Sequence, residues 1–291
     1  MRQARDLVRA LRALQPVDKS LGQHFLIDDA IIEHSVRWSD VSFEDHVLEI
    51  GPGPGVLTQH LLHAGCQVTA IEIDRGAYDL LKQTFSHECE TGQLNLVCGD
   101  ALTVRWPDTI TKIVANIPYQ ISSPLIDVIT NYHRSIQSIG LQSIVLLVQE
   151  EFAQRVVMEY ESDVGSLGMV VALDFDVEMG LRVSPHMFSP SPKIHSRLIR
   201  MIPHHHAPPC DRRLLVMMIH TAFKQRRKKL KSTLKQPPRR LSRIPGWHQS
   251  RWRATYGNLK EDELMSLRPE VMELDDWFEL GMAFESGEEE S

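Results

Sequence analysis

The sequence predicts an α/β chain: a mostly parallel sheet with helices on both faces, an antiparallel hairpin at one edge, and a smaller helical C-terminal domain. Three observations carry that expectation. Apolar runs at 47–50, 68–74, 94–100, 112–117 and 143–149 alternate with stretches of helical spacing, as in parallel strands joined by crossover helices. Two further segments, 167–179 and 197–202, have no helix between them and suggest the edge hairpin. The run Pro203-His-His-His-Ala-Pro-Pro209 reads as a linker. It divides the chain into 1–203 and 204–291, with helices expected over 214–234 and 260–267.

Taken in order, the first 14 residues are arginine-rich, with Leu7, Leu11 and Leu14 on one helical face. They lack the continuous apolar region of a signal peptide and read as a short docking helix, with a mitochondrial presequence as the alternative. The strand at 47–50 runs into Gly51-Pro-Gly-Pro-Gly55, followed by the helical spacing of Leu57, Leu61 and Leu62. Gly51, Gly53 and Gly55 let the backbone approach a ligand closely, and the helix N-terminus offers free amides. The spacing is G-x-G-x-G and not the G-x-G-x-x-G of dinucleotide enzymes. The second strand carries Glu72, some twenty residues after the first glycine, where an acid accepts bonds from ribose hydroxyls. The third ends at Asp100, an acid able to hold the amino group of an adenine ring. Alone, Glu72 reads as an exposed strand-end carboxylate and Asp100 as a helix cap; their order at successive strand ends points to a nucleoside site.

The fourth strand runs into Asn116-Ile-Pro-Tyr119. The Asn116 side-chain oxygen and the Ile117 carbonyl are two acceptors suited to a planar amine, whose lone pair is otherwise delocalised into its ring. Pro118 would fix the carbonyl, and Tyr119 would stack on a base. By itself the tetrapeptide reads equally well as a strand end with turn formers.

Composition bounds the partners. With 291 residues and 42% apolar content, the chain can hold a sizeable core. Cys66, Cys89, Cys98 and Cys210 show no C-x-x-C spacing and read as reduced thiols of a cytoplasmic protein. No apolar run approaches the roughly 18 residues of a membrane span. The histidines of the linker could bind a metal, but in a Pro-rich segment they read as polar spacers, and no metal site is expected. A monomer is expected. The net charge of −6 conceals a division: residues 212–253 hold 14 Lys and Arg and no acid, whereas 261–291 hold 12 acids and one Arg. Lys224, Arg226, Arg227, Lys228, Lys229 and Lys231 are too dense for one helix face. Any one of them reads as solvated; together they suggest a phosphate-contacting surface. The acidic end is expected to fray or fold back over basic surface.

Seven ordered blocks carry a resemblance: Ser20-Leu-Gly-Gln-His-Phe-Leu26, Glu49-Ile-Gly-Pro-Gly-Pro-Gly55, Ile71-Glu-Ile-Asp74, Gly99-Asp-Ala-Leu102, Asn116-Ile-Pro-Tyr-Gln-Ile-Ser-Ser-Pro-Leu125, Phe188-Ser-Pro-Ser-Pro-Lys-Ile194 and Phe223-Lys-Gln-Arg-Arg-Lys228. Across roughly residues 18 to 235 the chain resembles the rRNA adenine dimethyltransferase family, and within it the small-subunit branch. The resemblance implies a Rossmann-like class I methyltransferase sheet with a helical RNA-binding domain, and S-adenosylmethionine as cofactor. It implies that His24 and Leu26 close over that cofactor, that Gly51 borders it, that Glu72 meets its ribose and Asp100 its adenine. Asn116 would serve both methyl donor and target amine, and Phe188 would sandwich a flipped base against Tyr119.

The implied reaction dimethylates two adjacent adenines near the 3′ end of small-subunit rRNA within a pre-ribosomal particle. Two other readings stay open. One is a large-subunit rRNA methylase of the antibiotic-resistance type, and the other an assembly or transcription factor that only binds. The continuation Ile121-Ser-Ser-Pro-Leu125 and the basic block favour the first reading over the second, and Glu72, Asp100, Asn116 and Tyr119 argue against lost catalysis. Many relatives carry Tyr and a hydroxyl residue where this chain has Val164-Gly-Ser-Leu-Gly168, and Asn where it has His24.

Overall fold

The computed structural model describes residues 1–14, 22–136, 140–204 and 206–287. Ser20 and Leu21 of the first block, His205 of the linker and the last four residues lie outside the described residues. Among the described residues nine strands form: β1 Phe25–Leu26, β2 His46–Ile50, β3 Gln67–Glu72, β4 Leu94–Cys98, β5 Lys112–Asn116, β6 Ser143–Gln149, β7 Phe175–Val183, β8 Phe188–Ser189 and β9 Ser196–Pro203. Seven of them make one sheet in the order β4-β3-β2-β5-β6-β9-β7. The first five in that order are parallel, and β9 runs antiparallel to β6. β2 and β6 bury nearly every residue on both faces, as parallel strands covered by helices must. The order reverses direction between β2 and β5, and such a switch point leaves a crevice beyond the strands' carboxyl ends.

The chain divides into two compact units, 1–153 with 176–203, and 154–175 with 204–291. A single cut at 203 therefore misses one segment. Residues 154–175 join the second unit because Met169 and Leu173 enter the same apolar core as Leu214, Met218, Trp252 and Phe284, and Asp174 accepts from Arg212 at 2.7 Å.

In the first unit the helix Ala4–Leu14 buries Ala4, Leu7, Val8 and Leu11. That is an i, i+3, i+4, i+7 stripe, and Leu14, its last residue, is exposed. At the opposite end of the sheet from the crevice, Lys112 and Asp45 form a buried ion pair at 3.1 Å. Burial pushes the Asp45 carboxyl up, but bonds from the Ser42 amide, Thr111 and Lys112 outweigh it and leave Asp45 below the usual carboxylate range.

The second unit corrects three expectations and decides a fourth. Segment 167–179 is not one strand: the helix Ser166–Ala172 precedes β7. Gly168 is set by packing, since a Cβ there would stand 2.4 Å from Met158 and 2.6 Å from the Arg155 carbonyl. The helix expected over 214–234 runs from Arg212 to Phe223 and stops where the basic run begins; Lys224 to Arg227 form a turn, and Lys229 is extended before a short helix, Leu230–Thr233. Five cations within six residues repel one another along a helix. Residues 260–267 form a turn and the 3-10 segment Leu264–Ser266, while the helix lies earlier, at Gln249–Leu259. Of the two fates expected of the acidic end, fraying does not occur as far as Ser286; the end instead lies against the helices Arg212–Phe223 and Gln249–Leu259 of the basic stretch. Residues Leu274–Ser286 form a helix opened by a reciprocal Glu273/Asp276 cap, and Trp277, Leu280 and Phe284 are buried. Among the described residues no helix is long and apolar enough to cross a membrane, and no group of three or more His, Cys, Asp or Glu could hold a metal.

Candidate active site

A cavity of about 190 Å³ lies over the carboxyl ends of β2 to β6. Its floor is the turn after β2. Gly51 and Gly53 adopt φ of 66° and 55°, values that L side chains rarely tolerate. A Cβ at Gly53 would also stand 2.6 Å from the Phe25 ring. Phe25 thus lies on the glycine turn, and the close approach leaves room for nothing larger than hydrogen.

Two acids stand at the next strand ends. Glu72 is buried; one oxygen accepts the Gly53 amide at 2.9 Å and the other the Asp74 amide at 2.8 Å. Burial pushes the Glu72 carboxyl up, opposed by those amide bonds. Asp100 accepts the Leu102 amide at 2.9 Å, which closes a turn and aims the segment at the cavity. Asp74 is a helix cap, accepting from Gly76 and Ala77, and Gln23 donates to its other oxygen at 2.8 Å.

Beneath the glycine turn lies Glu49, fully buried on β2. Burial, reinforced by the nearby Glu72 charge and opposed by Thr58, raises its pKa to about 8. Glu49 therefore holds a proton at neutral pH, which limits repulsion between the two carboxyls.

The Asn116 segment ends β5. Asn116 and Ile117 both line the cavity, and Pro118 holds φ at −58° before the 3-10 turn Tyr119–Ile121. The Tyr119 hydroxyl meets the Ser196 hydroxyl at 2.7 Å. Burial raises the Tyr119 pKa, opposed by that bond. The His24 ring stacks on Tyr119 at 5.9 Å between centroids and 23° between planes, while its Nδ1–H donates to the Pro190 carbonyl at 2.8 Å. Phe188 lines the same cavity, but the ring paired with Tyr119 in the structure is that of His24. β1 and β8 pair in antiparallel register, Phe25 with Ser189 and Leu26 with Phe188, joining two sequence blocks far apart in the chain.

Of the expected residues, His24, Gly51, Gly53, Glu72, Asp100, Asn116, Ile117, Pro118, Tyr119 and Phe188 share this one cavity. Leu26 and Gly55 stand behind it. Leu26 is in the apolar core, and Gly55 opens the helix Val56–His63 at φ 87°, where a Cβ would meet Phe85 at 2.5 Å. Gln23, Phe25, Gln120 and Ile121, which lie in the quoted blocks without an assigned role, also line the wall, as does Leu147, which lies in none. Their place in those blocks is a usable signal for the first four. Leu147 is placed by its pairing with Asn116 across β5 and β6, which no spacing reveals.

In the second unit, Lys224, Arg227, Lys228 and Lys229 are exposed, and Lys231 is half-buried. Arg226 differs. Its guanidinium donates to Glu270 at 2.9 Å and to the Ser162 carbonyl at 3.2 Å, so it is an internal brace as well as a surface cation.

Comparison with known proteins agrees with this geometry. A family model described as ribosomal RNA adenine dimethylase matches residues 15–243. The chain is 36% identical over 242 residues to ribosomal RNA small subunit methyltransferase A of Rhodopseudomonas palustris (strain BisA53), covering 80% of this chain and 83% of that protein. The crystal structure of a dimethyladenosine transferase from Plasmodium falciparum superposes with a TM-score of 0.76 at 24% identity, over 89% of this chain and 97% of that one. The 23S rRNA methyltransferase ErmE superposes at 0.63 and 23%, over 90% and 100%. These two share the fold. With the family model spanning most of the sequence and a relative at 36% identity over four fifths of it, the chain belongs to the ribosomal RNA adenine dimethylase family.

Proposed function

We propose that this cavity transfers methyl groups from S-adenosylmethionine to the exocyclic amine of two adjacent adenines near the 3′ end of small-subunit ribosomal RNA, within a pre-ribosomal particle. One observation carries the reading: the Asn116-Ile117-Pro118-Tyr119 segment, the glycine turn, Glu72 and Asp100 line a single cavity.

The residues present fit that methyl donor. The turn at Gly51 and Gly53 lines the cavity, and at Gly51 a Cβ would point into space bounded only by Pro118 at 3.7 Å; two acids stand at the strand ends where a nucleoside offers hydroxyl and amino donors. His24, Gly51, Gly53, Glu72, Asp100 and Asn116 would hold it, with Leu26 and Gly55 supporting from behind. When bound, it supplies a methyl group already activated on a sulfonium.

The chain's own work is alignment. The Asn116 side-chain oxygen and the Ile117 carbonyl accept from the target amine and draw its nitrogen toward tetrahedral geometry, which frees the lone pair. Pro118 fixes the direction of that carbonyl. The attacking nitrogen becomes cationic and acidic before it loses a proton, so a neutral Asn suffices where a base might be expected. Tyr119 and Phe188 offer aromatic faces, and stacking of about 1–3 kcal/mol per base offsets part of the cost of extruding the adenine. Lys224, Arg227, Lys228, Lys229 and Lys231 contact RNA phosphates.

The relative named as a small-subunit enzyme supports the small-subunit substrate; the fold does not separate the readings, since the 23S enzyme shares it. The test is transfer of labelled methyl to unmethylated small subunits, large subunits and free RNA in parallel, with mass spectrometry of the nucleosides. Dimethyladenosine confined to the small subunit is expected. Label in large-subunit RNA would move the substrate there, and particle binding without transfer would leave a binding factor.

A further inference from the structure

The ring of Tyr119 is fixed by a bond that spans 77 residues of sequence. Its hydroxyl meets that of Ser196 at 2.7 Å. Ser196 has no solvent exposure and opens β9, where its backbone is in register with Gln149 of β6. The Ser196 hydroxyl is therefore carried by the sheet. Tyr119, by contrast, stands in a three-residue 3-10 turn directly after Pro118, and short 3-10 turns are weakly held by their own hydrogen bonds. The near end of the side chain rests on that turn and the far end on the sheet.

We infer that Ser196 is a positioning residue for the reaction, holding the Tyr119 ring in the plane on which the target adenine stacks. Ser196 acts through the tyrosine hydroxyl and touches neither base nor methyl donor. Without it, a half-buried phenol loses its partner and turns toward water, because an unsatisfied buried hydroxyl is costly. Turning the hydroxyl tilts the ring. The inference rests on the proposed stacking role of Tyr119, and the experiment separates the two.

Steady-state methylation of unmethylated small subunits is measured for Ser196→Ala, Tyr119→Phe and the double variant, with methyl-donor affinity measured by calorimetry. Each single change should lower kcat/KM for the particle about 5- to 10-fold, the size of one lost hydrogen bond, while donor affinity stays within about two-fold. The double variant should be no worse than Tyr119→Phe. Tyr119→Phe removes the same bond without disturbing the sheet, so the test survives a poorly folding Ser196→Ala. Wild-type rates in both singles, or losses that multiply in the double, would overturn the tether. Tyr119→Ala decides the underlying role: near-inactivity beside active Ser196→Ala and Tyr119→Phe removes the tether alone, whereas wild-type transfer by Tyr119→Ala removes the stacking assignment and the tether with it.

Discussion

The Glu72 carboxylate accepts the Gly53 backbone amide at 2.9 Å, so the acid proposed to meet a ribose also holds the glycine turn in shape. One side chain thereby couples ligand binding to loop geometry. Glu72→Gln places an amide where two N–H groups need acceptors. Hydrogen bonds to a charged group contribute roughly 1.5–3 kcal/mol, so methyl-donor affinity should fall about 10- to 100-fold. Calorimetric titration checks this, and an unchanged Kd would remove Glu72 from the site.

Glu49 gives the fold a pH dependence of definite sign. The folded carboxyl keeps its proton to about pH 8, whereas the unfolded chain releases it near the ordinary value of 4.5. Between those values the native state binds more protons, so stability is full below 4.5 and is lost as pH rises toward 8. Glu49→Gln should flatten that fall and melt higher than wild type at pH 8. Parallel melting curves at pH 5 and pH 8 decide it; equal slopes in both proteins would mean that Glu49 is ionised when folded.

Lys112 and Asp45 are each under a tenth exposed. Removing one partner of such a pair typically costs about 3–5 kcal/mol, because the other charge stays buried and uncompensated. Lys112→Met should destabilise by about that amount, and adding Asp45→Asn should recover part of it. Urea unfolding of the single and double variants measures both. No recovery in the double would show that the cost comes from packing and not from charge.

The basic run should behave as two classes. Lys228→Glu with Lys229→Glu should weaken RNA binding and lower the slope of log affinity against log salt by about one per lost phosphate contact. Arg226→Ala should loosen the turn it braces against Glu270 and Ser162 and change that slope less. A salt titration with equal slopes for wild type and the double reversal would place the RNA surface elsewhere.

Much of this was legible in the sequence because strand ends follow apolar runs. Gly51, Glu72, Asp100 and Asn116 each close such a run, and a parallel sheet brings successive strand ends to one edge. What spacing cannot carry is lateral pairing. The register that sets Phe25 opposite Ser189 and Leu147 opposite Asn116, and the Tyr119–Ser196 bond that β9 carries, are fixed only when the sheet assembles. The helix stop at Phe223 and the helix Leu274–Ser286 are different cases. Dense like charge and the Glu273/Asp276 cap before Trp277, Leu280 and Phe284 were visible local signals, and net charge hid them.

The role of Asn116 is tested most directly by single-turnover methyl transfer by Asn116→Ala to unmethylated small subunits, with RNA binding measured on the same preparation. RNA affinity close to wild type and loss of both monomethyl- and dimethyladenosine are expected. Methylation at a rate comparable to wild type would contradict that role, because no other side chain on the Asn116-Ile117-Pro118-Tyr119 segment offers a neutral carbonyl acceptor to the target amine.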